Sequence, residues 1–191
     1  KRIIGGRECL IYDCGSPDVL LIQPVDDHDI EVLDSEVNKI CELLNGAAAS
    51  AAGCAAEGQV SDPSSGFTLA AFRVNDWNTD LSPWEAAPVF GDAGFGSGAE
   101  DTLKYILESL IPELTGYGAG AGTERNTELY LGGYSLAGFF SLWAAYQTDR
   151  FAGIAAVSPS VWFPGWMDFA REHSILSLIH ISEPTRPRLI S

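Results

Sequence analysis

Apolar and polar positions follow two periods along this chain, and the switches between them mark out its elements. Residues 7–13 read as a strand, Cys14-Gly15-Ser16-Pro17-Asp18 as a turn, and 19–25 as a nearly continuous apolar strand. Over 35–45 the period becomes helical. Val37, Ile40, Cys41 and Leu44 share one face, and Gly46 is the expected stop. A strand follows over 67–74. Ser97-Gly98-Ala99-Glu100 has capping-box spacing and opens a helix with Leu103, Ile106, Leu107, Leu110 and Leu114 on one side. Strand 129–133, helix 136–146 and strand 151–157 complete the series. Strands alternating with helices predict an α/β protein whose mostly parallel sheet is covered by helices on both faces. Two stretches break the pattern. Residues 46–65 are rich in Ala, Gly and Ser, and 116–122 in Gly and Ala; both are expected to be flexible surface loops.

The junction at 129–138, Leu-Tyr-Leu-Gly-Gly-Tyr-Ser-Leu-Ala-Gly, is where the chemistry concentrates. A buried strand runs directly into a helix through Gly133-Tyr134-Ser135-Leu136-Ala137, the layout of a nucleophile elbow. There a serine is held in a strained turn that presses strand against helix, so the residues two before and two after it must be small. Gly133 and Ala137 meet that need, and Gly138 relieves the crowding further. An ordinary strand-to-helix turn is the bland alternative.

The last residues belong to a different kind of sequence. Leu176-Ser177-Leu178-Ile179-His180-Ile181-Ser182-Glu183-Pro184-Thr185-Arg186 looks like a transposon-type sequencing adapter translated in frame. Residues 176–191 are therefore expected to be an artefact tail, which removes His180 from consideration. The chain opens on Lys1 rather than methionine, and residues 1–175 are expected to be an incomplete domain of a longer protein.

Hydrophobic residues make up 46% of the 191 and charged ones 19%, as in a folded domain. The formal net charge of −15 repels phosphate backbones and anionic lipid, which argues against nucleic-acid and membrane partners. The absence of a long apolar run and of a signal-peptide core points to the cytoplasm. Oligomeric state is left open. Cys9, Cys14, Cys41 and Cys54 form no C-x-x-C pair, so zinc and a disulfide framework are both poor readings, and Cys41 reads as a core residue.

Three segments together resemble one family. Gly132-Gly133-Tyr134-Ser135-Leu136-Ala137-Gly138, then Ala155-Ala156-Val157-Ser158-Pro159-Ser160-Val161-Trp162-Phe163, and the loop Asn75-Asp76-Trp77-Asn78-Thr79-Asp80-Leu81-Ser82-Pro83-Trp84 look like the α/β-hydrolase esterases of the esterase D and enterochelin-esterase-like group. The resemblance covers residues 7–169. It implies an incomplete α/β-hydrolase fold and a serine carboxylic-ester hydrolase acting on a small-molecule ester through an acyl-enzyme, with no cofactor and no metal. An acyltransferase would use the same elbow. A noncatalytic module could use the same scaffold.

By the same resemblance Ser135 is the nucleophile and the Leu136 N–H is one oxyanion donor. The second donor is expected in the loop Pro24-Val25-Asp26-Asp27-His28, with the N–H of Val25 or Asp26 favoured because Pro24 has none. His28 reads as a substrate contact or a plain loop histidine. With Asp26, Asp27 and Asp29 it is a poor metal cluster, since adjacent residues on one loop rarely converge on an ion. Trp77, Asn78, Trp84 and Trp162 stand on the expected substrate side, where the aromatics form either an apolar pocket or a packed lid. The triad order in this fold is Ser, then Asp or Glu, then His. After Ser135, Asp149 falls at the wrong end of the sheet, and Asp168 and His173 fall in a helical segment. Acid and base are expected to follow two further strands that these residues do not contain.

Overall fold

The computed structural model of the chain describes residues 1–15, 18–52, 66–116 and 127–176. Six strands form one sheet: β1 (Arg2–Ile4), β2 (Arg7–Asp13), β3 (Val19–Val25), β4 (Thr68–Arg73), β5 (Glu128–Tyr134) and β6 (Gly153–Val157). Their order is β1-β2-β4-β3-β5-β6. The four strands β4, β3, β5 and β6 are parallel, and β1 and β2 join them antiparallel at one edge. β1 is too short to show a period in the sequence.

Alternation along the strands divides the core into two layers. Cys9, Leu20, Ile22, Ala70, Phe72, Leu129, Leu131, Ile154 and Ala156 face one side. There they meet α5 (Leu136–Gln147) and a long helical run made of α3 (Ala99–Tyr105), a π-turn at Ile106–Leu110 and α4 (Ile111–Thr115). Leu10, Val25, Leu69 and Ala71 face the other side, against Leu33 and Val37 of α1 (Asp27–Ala52). That second layer covers β2, β4 and β3 only. Over β5 and β6, Tyr134 and Val157 on the same face are 65% and 57% exposed, so among the described residues helices cover both faces of only part of the sheet.

Several local expectations need correction. The helix expected over 35–45 starts at Asp27 and runs through Gly46 to Ala52, because Asp26 caps it and a single glycine costs only about 1 kcal/mol in a helix. Its core face is Leu33, Val37 and Cys41; Ile40 is 45% exposed. At the start of α3 the N-cap is Gly98 with no side-chain bond, rather than Ser97. The Gly98 N–H instead donates to Thr79 O at 2.9 Å, and a Cβ there would lie 2.9 Å from the same oxygen. Packing against α2 (Trp77–Asp80) therefore sets the helix start. Cys14 and Cys41 form a disulfide with Cα atoms 5.2 Å apart, tying the turn after β2 to α1. Spacing alone could not show this pair, since 27 residues separate them and only the docking of α1 brings them together. Of the loops expected over 46–65 and 116–122, residues 46–52 are instead the end of α1; the parts over 53–65 and 117–122, together with Cys54 and the tail from residue 177, lie outside the described residues.

Candidate active site

β5 ends and α5 begins at Ser135, whose φ of 56° and ψ of −118° are unusual for a side-chain-bearing residue. Small neighbours make this turn possible. A Cβ on Gly133 would lie 2.5 Å from Ala137 Cβ and 2.7 Å from Ala137 C. One on Gly138 would lie 2.8 Å from Gly133 O. The methyl of Ala137 fits because Gly133 lacks its own. The strained serine is held from several sides: its N–H donates to Val157 O at 3.0 Å, and its carbonyl accepts from Phe139 N at 3.0 Å and Ser160 N at 3.1 Å. Its Oγ is 3.2 Å from Ser160 Oγ. Leu136, the first residue of α5, is buried, and its N–H can have no intrahelical partner.

Parallel pairing places the loops that follow β3, β4, β5 and β6 at one sheet edge. Continuing the β3–β5 register onward from Ile22 opposite Leu131 brings Asp26 level with Ser135. Val25 and Asp26 are not equivalent there. Val74 N–H donates to Val25 O at 3.1 Å, so the peptide groups of Val25 face β4, away from β5. The Asp26 N–H meets Asp29 Oδ2 at 3.3 Å, while Asp26 Oδ1 accepts from Asp29 N at 2.8 Å. This is a reciprocal capping box at the start of α1, readable in hindsight as Asp-x-x-Asp. Burial pushes the Asp29 carboxyl up from its ordinary value; its own bond from the Asp26 amide acts in the opposite direction.

Beside this helix start lies a cavity of about 410 Å³ lined by Asp26, Asp27, His28, Arg73, Asn75 and Trp77. Two of these lining residues, Arg73 and Asp27, form an ion pair at 2.6 Å. Asp80 anchors the loop that carries Trp77: its Oδ2 accepts from Asn75 N at 2.9 Å and faces Arg7 at 3.5 Å. Asn78 donates to Gly94 O at 3.3 Å. Trp84 is tied down, its Nε1 donating to Pro164 O at 2.8 Å and its ring packing on Phe163 and Phe169. Trp162 is half open and meets Phe90 edge-on at 5.1 Å.

His173 stands apart. It follows α6 (Trp166–Glu172), its ring stacks on Phe169 at 4.1 Å, and its Nδ1 donates to Phe169 O at 2.8 Å. Asp168 is exposed and paired with Arg171 at 3.1 Å. Among the described residues no group of three or more His, Cys, Asp or Glu could hold a metal. None of the described helices is long and apolar enough to cross a membrane. Ser160 carried no role in the sequence, although it lies in the segment 155–163 that resembles the esterase group.

No protein-family profile and no curated protein matches the chain. Solved structures do. A siderophore hydrolase, EstA, from Aspergillus nidulans is 15% identical with a TM-score of 0.55, the match covering 88% of this chain and 62% of that one. The BES protein from Bacillus cereus is 17% identical at 0.54, with 88% and 62% covered. An IroE-like serine hydrolase from Shewanella oneidensis is 18% identical at 0.56, with 87% and 51% covered. The chain has the α/β-hydrolase fold. It spans between about half and two thirds of the length of these neighbours. Ser135 occupies the strand-to-helix turn at the carboxyl edge of this sheet.

Proposed function

We propose that this chain is the core of a serine carboxylic-ester hydrolase of the enterochelin-esterase-like group, with Ser135 as nucleophile. The observation that supports this best is the Ser135 backbone, at φ 56° and ψ −118° between β5 and α5. Such strain persists only where surrounding packing enforces it, and it lifts the hydroxyl clear of both elements. In the proposed reaction Ser135 Oγ attacks the ester carbonyl carbon and its proton passes to a base. The carbon–oxygen bond to the alcohol then breaks, and the alcohol leaves with that proton. Water, deprotonated by the same base, releases the acid.

The Leu136 N–H is one proposed oxyanion donor, worth about 3 kcal/mol in the transition state. Of the two earlier candidates for the second donor, the Asp26 N–H is favoured over that of Val25, whose peptide groups face β4, and it would exchange its long 3.3 Å bond to Asp29 Oδ2 for the substrate oxygen. The acid and base are proposed to come from chain beyond these residues, since His173 is held by Phe169 and Asp168 by Arg171. The cavity lined by Asp26, His28 and Trp77, together with the open face of Trp162, would receive the ester.

The test compares this chain with the complete reading frame, each with and without Ser135→Ala, on a short-chain aryl ester. Strong turnover that depends on Ser135 is expected only from the complete form. Loss of triad members leaves about 10³–10⁴-fold acceleration over water, far below an intact triad. If Ser135→Ala leaves the complete protein's turnover unchanged, Ser135 is not the nucleophile.

A further inference from the structure

We infer that Ser160 is a positioning residue for the nucleophile, its buried hydroxyl donating to Ser135 Oγ and holding that oxygen in one rotamer. The inference rests on the reading of Ser135 as nucleophile and adds a residue to it.

Ser160 is 1% exposed, so its hydroxyl has no water to turn to. Its side-chain partner among the described residues is Ser135 Oγ, at 3.2 Å. The same residue also grips the nucleophile's backbone, since Ser160 N–H donates to Ser135 O at 3.1 Å. Two contacts from one residue thus fix both the peptide and the side chain of Ser135. The turn that makes this possible is itself strained. Ser135 and Ser158 are the two non-glycine residues with positive φ among those described, at 56° and 42°. Ser158 follows Val157, whose carbonyl accepts the Ser135 N–H, and the reversal at Ser158 and Pro159 brings Ser160 back to Ser135. Ser158 itself is exposed, but a positive φ in a side-chain-bearing residue costs free energy and persists only where other contacts enforce it.

Chemistry sets the direction of the hydrogen bond. A base that removes the Ser135 proton must receive it from the Ser135 O–H, so Oγ can meet Ser160 only as an acceptor. Ser160 is then the donor, which also satisfies a hydroxyl that would otherwise be buried unpaired. Without it, Ser135 χ1 is free to sample other staggered wells, of which one suits attack. The same donor stabilises negative charge as it develops on Oγ.

The test reads the rotamer directly. Hα–Hβ couplings of Ser135 in this chain should report a single χ1, become averaged in Ser160→Ala, and stay single in Ser141→Ala. The control is apt because Ser141 is also a buried hydroxyl on α5, but it donates to Ala137 O at 2.8 Å and does not touch Ser135. In the complete protein Ser160→Ala should lower kcat about fivefold and leave KM within about twofold, the mark of an interaction made in the transition state. Averaged couplings in the parent chain would overturn the inference even if Ser160→Ala does not fold. Unchanged couplings and kcat in Ser160→Ala would overturn it while leaving Ser135 as nucleophile. Absence of any Ser135-dependent turnover would overturn the esterase reading and this inference with it.

Discussion

At the residue scale the elbow is a problem of contact distances. Gly133 faces Ala137 so closely that a methyl would meet both its side chain, at 2.5 Å, and its backbone carbon, at 2.7 Å. Gly133→Ala is therefore expected to cost about 3 kcal/mol or more, at the upper end of overpacking effects, read from urea unfolding. Trimming the neighbour should restore little. Ala137→Gly removes only the Cβ, and the backbone clash remains, so the double variant should stay close to Gly133→Ala. A double variant as stable as the parent would show that the side chain, rather than the backbone approach, limits this position. Cys9 is decided by burial in a similar way. Burial pushes its thiol up, against the lowering effect of its bond with the Tyr105 hydroxyl at 3.1 Å, and a neutral buried thiol is unreactive.

At the scale of elements, α1 ties two functions together. Its start carries the Asp26–Asp29 box beside the candidate site, and Cys41 further along is bonded to Cys14. A cross-link over a separation of 27 residues restricts the unfolded chain by about 3–4 kcal/mol. Reduction, or Cys14→Ser, should lower the unfolding midpoint accordingly. The check is a pair of thermal melts with and without a strong reductant, in which the Cys14→Ser chain should no longer respond. A parent chain indifferent to reductant, with Cys14 and Cys41 both alkylated after native purification, would remove the bridge. Bonds of this kind persist in oxidising compartments, which weighs against the cytoplasmic placement expected from the lack of a long apolar run and of a signal-peptide core.

At the scale of the whole molecule the sheet is unevenly finished. Both edge strands, β1 and β6, lack an outer neighbour among the described residues, but β1 has only 3 residues whereas β6 has 5 and continues the parallel part of the sheet. Its sequence, GIAAV, carries no charge and no proline, the devices that usually keep an open edge from pairing with another chain. Val157 adds an apolar side chain that is more than half exposed. The net charge of −15 opposes association at low ionic strength, so self-association through β6 should grow with both concentration and salt. Sedimentation velocity should show this in the parent and a marked reduction in Val157→Lys, whose side chain points away from the first core layer. A chain that stays monomeric across concentration and salt would show that the edge is protected.

The strands Arg7–Asp13 and Val19–Val25 were legible to the residue, and β4, β5 and β6 to within two residues at either end, because each is an apolar run bounded by Gly, Pro or polar residues, whereas the three-residue β1 was not legible at all. The tight turn between β5 and α5 was legible too, since a strained serine between strand and helix demands small residues at fixed offsets, and those are local facts. What the sequence could not decide were events between segments distant along the chain. The Cys14–Cys41 bond waits on α1 docking against the sheet, and the start of α3 on the contact between Gly98 and Thr79. Discrimination between the Val25 and Asp26 amides needs the direction of the β3–β4 ladder, because adjacent peptide groups point to opposite sides of a strand and neither residue type records which. The contact made by Ser160 is the clearest case, since the segment that carries this serine was legible but its partner was not. Nothing local says that this buried hydroxyl meets one 25 residues away, and only the return of the chain after β6 places it on Ser135 Oγ.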